Sequence, residues 1–151
     1  MRVSVTVQVR RPGITVGRLQ QVVRHVLRRH RGRVGSEIGV ALVSDRTICT
    51  LNGVFLHHDY PTDVLAFPAG KRNGPRAAGT GRYMGDIVIS VDRARAQARA
   101  VGHPVGTEIA LLAVHGVLHL LGYNDHGPRQ ASRMARRQRT LLAEAGIEVA
   151  G

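Results

Sequence analysis

Residues 107–126 read TEIALLAVHGVLHLLGYNDH and combine a long apolar run with three of the chain's eight histidines. The apolar run is predicted to form one helix, which Thr107 caps and Gly122 ends. On such a helix, His115 and His119 differ by about 40° in azimuth and share one face. Because the helix is apolar on most sides, we expect it to be buried, where unpaired imidazoles would be costly.

A third imidazole follows the helix at His126. Since the chain turns after Gly122, His126 can come back toward His115 and His119. Two histidines on a helix and a third after a turn suit a three-histidine zinc site with an open fourth position. A His-x-x-x-His pair alone is weak evidence, because histidines on a helix are often ordinary packing residues. The third histidine and the glycine turn together favour a metal site.

The residue after the first histidine is Gly116. The metalloprotease motif carries its general base, a glutamate, at this place. The helix therefore lacks the usual peptidase base, and this absence argues against a metal-dependent hydrolase of another substrate, such as a peptide.

Strand-like and helix-like patterns alternate along the rest of the chain. Ser44-Asp45 is predicted to cap the second helix, Asp92 the third, and Gly127-Pro128 to begin the last. The predicted strands are residues 1–10, 37–43, 63–67 and 86–91, and the predicted helices are residues 16–30, 45–55, 92–101, 107–121 and 127 onward. We therefore expect one α+β domain over residues 1–151, a small mixed sheet of about four strands covered by about five helices.

The last predicted helix carries a stripe at helical spacing. Met134, Gln138, Leu141 and Leu142 recur on one face of it. Such a stripe is typical of a helix that packs against a core, so all four are predicted to be core residues.

Three more segments accompany the histidine stretch in a fixed order. They are Leu51-Asn52, then Asp59 with PTDVLAFP at 61–68, then GDIVIS at 85–90. Together with HGVLHLLGY at 115–123 and the following Asp125-His126, they resemble the YbeY family of bacterial endoribonucleases. The resemblance reaches from about Ile38 to Leu142, most of the chain.

The resemblance implies a single-domain zinc protein that acts on RNA. Its members are implicated in maturing the 3′ end of small-subunit ribosomal RNA and in ribosome quality control. By position, His115, His119 and His126 would hold one zinc ion per chain and act in catalysis through it. Such an ion lowers the pKa of a bound water to about 7 and so makes hydroxide available for attack on a phosphodiester.

The chain departs from the family at the third histidine. His126 lies eleven residues after His115, whereas the family has ten, so that Asn124 reads as an insertion and Asp125 occupies the tenth place. We interpret His126 as the ligand and Asp125 as a partner that orients an imidazole. The alternative is that Asp125 itself supplies a carboxylate ligand, which zinc also accepts.

A second departure precedes the PTD segment. The family has an arginine where this chain has Leu56, within residues 55–59, FLHHD. An arginine could hold a phosphate and stabilise charge on its oxygens, which leucine cannot do. His57 or His58 could take its place. The departure keeps open a non-catalytic ribosome-associated or RNA-binding factor in which zinc is structural.

The charge of the chain agrees with a nucleic-acid partner. The net charge is +12, with 22 basic residues against 10 acidic ones, and Lys71 is the only lysine. Arginine richness alone can reflect a genome of high GC content, but the excess of base over acid favours binding to a polyanion. With few aromatic residues, backbone contacts should dominate over base stacking.

The basic residues form three clusters, and each cluster alone is commonly just a solvated surface. The clusters are residues 24–33, the glycine-rich stretch 69–83, and residues 129–139. Three of them around one metal site predict an electrostatic groove for RNA. The residues predicted to bind RNA are His58, Lys71, Arg72, Arg76, Arg82, Arg129 and Arg133.

The sequence shows no signal peptide, and no stretch reaches the roughly 18 apolar residues of a membrane span. A single cysteine, Cys49, excludes an internal disulfide. These features predict a cytoplasmic protein without a membrane partner. Cys49 itself is predicted to be a buried packing residue.

Overall fold

The computed structural model describes residues 1–30, 35–56, 62–69 and 83–150. These residues form four strands and five helices, which confirms the predicted α+β class. In chain order the elements are β1 (Arg2–Val7), α1 (Val16–Arg28), β2 (Glu37–Val43), α2 (Asp45–Leu56), β3 (Val64–Pro68), β4 (Tyr83–Ser90), α3 (Val91–Val101), α4 (Val105–Leu120) and α5 (Gly127–Glu144).

The four strands make one mixed sheet in the order β1-β2-β4-β3. The first three strands in that order are parallel, and β3 pairs with β4 in the antiparallel sense. The central strands β2 and β4 are most apolar at their C-terminal halves, where residues 40–43 and 87–89 are apolar and mostly buried. Since β3 is last in the strand order, it stands at an edge of the sheet.

The larger core lies on the sheet face that is covered by α1 and α4, and α5 packs on these two helices. Every second side chain of the central strands points into this core. These side chains include Ile38, Val40, Ile87 and Ile89, which are all buried. From α1, the buried residues follow helical spacing and are Leu19, Val22, Val23, Val26 and Leu27. This amphipathic pattern is why the segment forms a surface helix over the sheet.

The helix α2 covers part of the opposite face. Its Ile48 packs with Val43, Leu65 and Val88 in a second, smaller core. The neighbouring Cys49 is exposed, so its prediction as a buried residue is wrong, because only one face of this helix meets the sheet.

The starts of α2 and α3 are tied together. Ser44 Oγ accepts the backbone N–H of Thr47 at 3.2 Å, which confirms the predicted cap of α2. The predicted cap of α3 is wrong, because Ser90 rather than Asp92 is its N-cap. Asp92 instead accepts the backbone N–H of Asp45 at 2.7 Å and so satisfies a donor at the start of α2.

The helix α4 begins earlier than predicted. Its N-cap is Pro104, with no side-chain cap bond, so the assignment of Thr107 as the cap is wrong. The preceding turn contains Gly102 at φ 87, a left-handed conformation that suits glycine. Among the helices of the described residues, none alone is long and apolar enough to cross a membrane; α3 and α4 together are by length and composition, but they meet at a bend of 115°.

A glycine lets α4 lie close to the sheet. Gly116 is buried, and a Cβ placed on it would lie 2.8 Å from Cγ2 of Ile87 on β4. Any larger residue would push the helix and the strand apart. The side of α4 that carries Gly116 is therefore its contact with the sheet.

Candidate metal centre

The two histidines of α4 face each other one helical turn apart. The Nε2 atoms of His115 and His119 are 3.0 Å apart, and both residues are half-buried. Their rings open into a cavity of about 310 Å³ between α4 and the edge strand β3. Its wall is formed by Val64, Leu65, Ala66 and Pro68 of β3 and by His115, Gly116, His119 and Leu120 of α4.

The turn after α4 brings a carboxylate back to these rings. Gly122, at φ 103, donates its N–H to His119 O at 3.0 Å, and Tyr123 donates to Leu118 O at 2.9 Å. This pair of bonds is a Schellman motif, which confirms that Gly122 ends the helix. After the turn, Asp125 offers a ligand oxygen that lies within 4.8 Å of ligand nitrogens on both histidines.

The predicted third ligand, His126, lies at the N-cap of α5 and is exposed. Its backbone N–H donates to Asn124 Oδ1 at 3.0 Å. The described donor atoms that meet within 4.8 Å come from His115, His119 and Asp125. His126 as a ligand therefore stays a prediction, and the geometry places the carboxylate of Asp125 with the two imidazoles.

The site favours the form of histidine that binds metals. The pKa of His119 lies below its ordinary value of 6.5, first because burial disfavours the imidazolium and then because the charge of His115 repels it. The charge of Asp125 raises the pKa of His119, and the charge of His126 lowers it. Neutral imidazole is the ligand form, so the donor set of two histidines and a carboxylate fits a divalent cation such as zinc.

Gln138 of α5 is a site residue that the sequence did not reveal. Its Oε1 lies 2.6 Å from His115 Nδ1. A proton on Nδ1, donated to this amide oxygen, leaves the Nε2 lone pair directed toward His119. The predicted core stripe is correct for Met134, Leu141 and Leu142, which are buried. A polar residue on that stripe was the signal for a specific contact.

Replacing Gln138 with leucine should weaken metal binding by about 10- to 100-fold, because the ring of His115 loses the partner that fixes its tautomer. Gln138→Glu should bind at least as tightly as the native chain, since a carboxylate accepts the same proton. Zn²⁺ affinity is measured by competition with a chromophoric chelator. The matched control is Gln21→Leu on α1, where the side chain is exposed. A Gln138→Leu affinity equal to that of this control would contradict the assigned role.

Only some of the predicted RNA-binding residues fall within the described residues. Arg129 and Arg133 are exposed on the first turns of α5, and the Arg133 guanidinium lies 5.8 Å from the centre of the Tyr123 ring. His58, Lys71, Arg72, Arg76 and Arg82 lie outside the described residues, as does the side chain of Leu56. In the first basic cluster, Arg29 Nε pairs with Glu144 at 3.1 Å, so part of that cluster's charge is neutralised.

Asp63, directly before β3, has a structural role. Its backbone oxygen accepts the N–H of Ser90 at 2.9 Å, and its carboxylate accepts from Gln97 at 3.0 Å. These bonds hold the edge strand beside the start of α3, which positions the wall of the metal cavity.

Comparison with known sequences gives one family. The family model described as "Endoribonuclease YbeY" matches residues 6–146. A protein of that name from Synechococcus sp. (strain JA-2-3B'a(2-13)) is 50% identical over 115 residues, which are 74% of this chain and 71% of the relative. Another from Myxococcus xanthus is 43% identical over 113 residues, 75% of this chain but only 38% of the relative's length.

A solved structure shares the fold. The solution structure of a protein from Thermotoga maritima superimposes with a TM-score of 0.61 at 21% sequence identity. The match covers 94% of this chain and 90% of that one. At this level of identity the likeness supports the fold alone.

Proposed function

The chain belongs to the YbeY family of endoribonucleases, and on this premise we propose that it cleaves single-stranded RNA with a bound metal ion. The observation that carries the proposal is the meeting of His115, His119 and Asp125, of which the two histidines line a cavity open to the surface. The net charge of +12 supports a polyanionic substrate. We take residues 1–151 to be one such catalytic domain.

We propose zinc as the metal, held by His115, His119 and a third residue. The family resemblance implies His126 for the third place, and the distances favour Asp125. When bound, such an ion supplies Lewis acidity toward a phosphodiester and a nucleophile at neutral pH. Whichever of the two residues is not a ligand lies beside the centre and can orient an imidazole.

The surrounding residues prepare the site for this chemistry. Gln138 fixes the ring of His115 through the 2.6 Å contact between its Oε1 and His115 Nδ1. The apolar wall of β3 limits the water that reaches one side of the cavity. The exposed Arg129 and Arg133 attract the RNA backbone and oppose charge that builds up on phosphoryl oxygens.

We propose that the substrate is small-subunit ribosomal RNA near its 3′ end, in maturation and ribosome quality control, with the ribosome or its proteins as partners. The proposed location is the cytoplasm. These assignments rest on what the family resemblance implies, with the basic charge as physical support.

The alternative is a non-catalytic ribosome-associated factor with a structural zinc. Leu56 in place of the family's arginine favours it, because leucine cannot stabilise phosphoryl charge. A structural ion would be closed off by a fourth protein ligand, whereas a catalytic one keeps an open position. The cavity of about 310 Å³ against both histidines favours the open site.

The proposal is tested with one preparation of the native chain and a labelled fragment from the 3′ end of small-subunit ribosomal RNA. We expect cleavage of the RNA but not of DNA with the same sequence. Dialysis against a chelator should abolish cleavage, and one equivalent of Zn²⁺ should restore it. A chain that binds zinc and RNA but never cuts above the metal-free background would instead be the ribosome-associated factor.

A further inference from the structure

A second cavity, of about 400 Å³, lies beside the loop that follows α4. We call it the loop cavity; its lining residues are Leu121, Gly122, Tyr123, Asn124, Gln130 and Arg133. We propose that the loop cavity binds one nucleotide of the RNA, next to the bond that is cleaved. This inference rests on the proposed function and assigns a subsite to it.

The loop cavity adjoins the metal centre along the chain. Leu120 lines the metal cavity, and the next residue, Leu121, lines the loop cavity. Asn124 in its wall directly precedes Asp125, so their Cα atoms are only about 3.8 Å apart. A strand with one phosphate at the histidines therefore has its neighbouring nucleotide within reach of the loop cavity.

The charge and shape of the wall suit a nucleotide. The lining contains no acidic residue, and Arg133 makes no ion pair with a carboxylate in the part of the chain that the structure describes. Its guanidinium lies 5.8 Å from the centre of the Tyr123 ring. Nucleobases stack on both arginine planes and aromatic rings, and arginine also binds phosphate.

Two side-chain amides in the wall can contact the edge of a base. Asn124 Oδ1 already accepts the N–H of His126, so its amide group remains as a donor. Gln130 is exposed and offers both a donor and an acceptor. Gly122 also lines the cavity, and a Cβ built on it would meet nothing within 4 Å. The loop cavity therefore combines a stacking surface, a positive charge and groups that discriminate between bases.

Two measurements test the subsite. Affinity for a fluorescein-labelled 12-nucleotide single-stranded RNA is measured by anisotropy in chelator, where binding does not depend on cleavage. Base preference around the cut is mapped by sequencing the products of a randomised RNA with the metal-loaded chain. The variants are Arg133→Gln, Arg133→Lys and Gln130→Ala. The control is Arg99→Gln on α3, an exposed arginine near the other end of α4.

We expect both Arg133 variants to weaken RNA binding about tenfold, because lysine keeps the charge but not the stacking plane. Gln130→Ala should flatten the base preference at one position beside the cut, and Arg99→Gln should match the native chain. If Arg133→Lys binds like the native chain, the cavity recognises charge alone and the nucleotide subsite is wrong. It is also wrong if Arg133→Gln matches Arg99→Gln.

The same data separate this subsite from the proposed function. If the native chain cuts RNA and the loop-cavity variants change neither affinity nor preference, the function stands and the subsite is overturned. If those variants weaken binding but the metal-loaded native chain does not cut, the loop cavity stands as a nucleotide-binding site, while its place beside a cleaved bond and the endoribonuclease function are both overturned.

Discussion

His119→Ala should lower the rate of RNA cleavage by about a thousandfold or more. The variant keeps only one of the two imidazole ligands on α4, that of His115. Loss of the metal removes several kcal/mol of transition-state stabilisation, and each 1.4 kcal/mol is tenfold in rate. Without metal, the free energy of unfolding of the variant should differ from that of the native chain by no more than about 1 kcal/mol, since the His119 side chain is only half-buried. Cleavage rate, bound zinc and urea unfolding are measured on the same preparations.

Two neighbouring variants provide the comparison for His119→Ala. Asp125→Asn and His126→Ala change adjacent residues, and the larger loss of bound zinc identifies the third ligand. The distances place Asp125 nearer to that role. A His119→Ala chain that keeps its cleavage rate, or one that unfolds with most of its stability gone, contradicts a catalytic site and points to a structural ion.

Gly116→Glu, which restores the residue of the metalloprotease motif, should destabilise the fold by more than about 4 kcal/mol instead of creating a peptidase. A Cβ at this position would lie 2.8 Å from Ile87 Cγ2, so the side chain would enter the core. Overpacking costs about 1–3 kcal/mol, and an unpaired buried carboxylate adds several more. Domains of this kind are stable by only about 5–15 kcal/mol. The yield of soluble chain and its thermal unfolding by circular dichroism give the result.

Smaller changes at this contact keep the explanation testable when Gly116→Glu does not fold. Gly116→Ala should be destabilised by about 1–2 kcal/mol, the overpacking less the gain in helix propensity. Ile87→Ala alone should cost about 2–5 kcal/mol because Ile87 is buried. In that background Gly116→Ala should cost less than it does in the native chain, because all three clashing atoms are gone, and a double-mutant cycle measures the difference. Gly17→Ala on α1 meets open space and should not destabilise. Equal effects at the two glycines would show that packing on Ile87 is irrelevant.

The sequence predicted those features that local pattern determines. Alternating and helical periodicity located all four strands and five helices of the described residues, and Gly122 marked the end of α4. The spacing of His115 and His119 sufficed to bring their rings together. In each case the responsible residues lie within one or two helical turns of one another.

The sequence failed where a side chain acts on a distant part of the chain. Asp92 was predicted to cap its own helix, yet it accepts from Asp45, which is 47 residues away. Gln138 matched a core stripe, and its contact with His115 crosses from α5 to α4. The absence of a peptidase base at Gly116 holds, but the sequence did not indicate that a side chain there would meet Ile87 on β4. None of these partners is visible before the strands and helices have been placed.

The hydrogen bond between His115 and Gln138 couples the binding of the metal to the docking of α5. An ion held more tightly while α5 is docked must, by reciprocity, hold α5 in its docked position with the same free energy. Local opening of α5 then competes directly with retention of the ion, and occupancy protects the amides of that helix from exchange. The docking of α5 thus contributes to how tightly the ion is held.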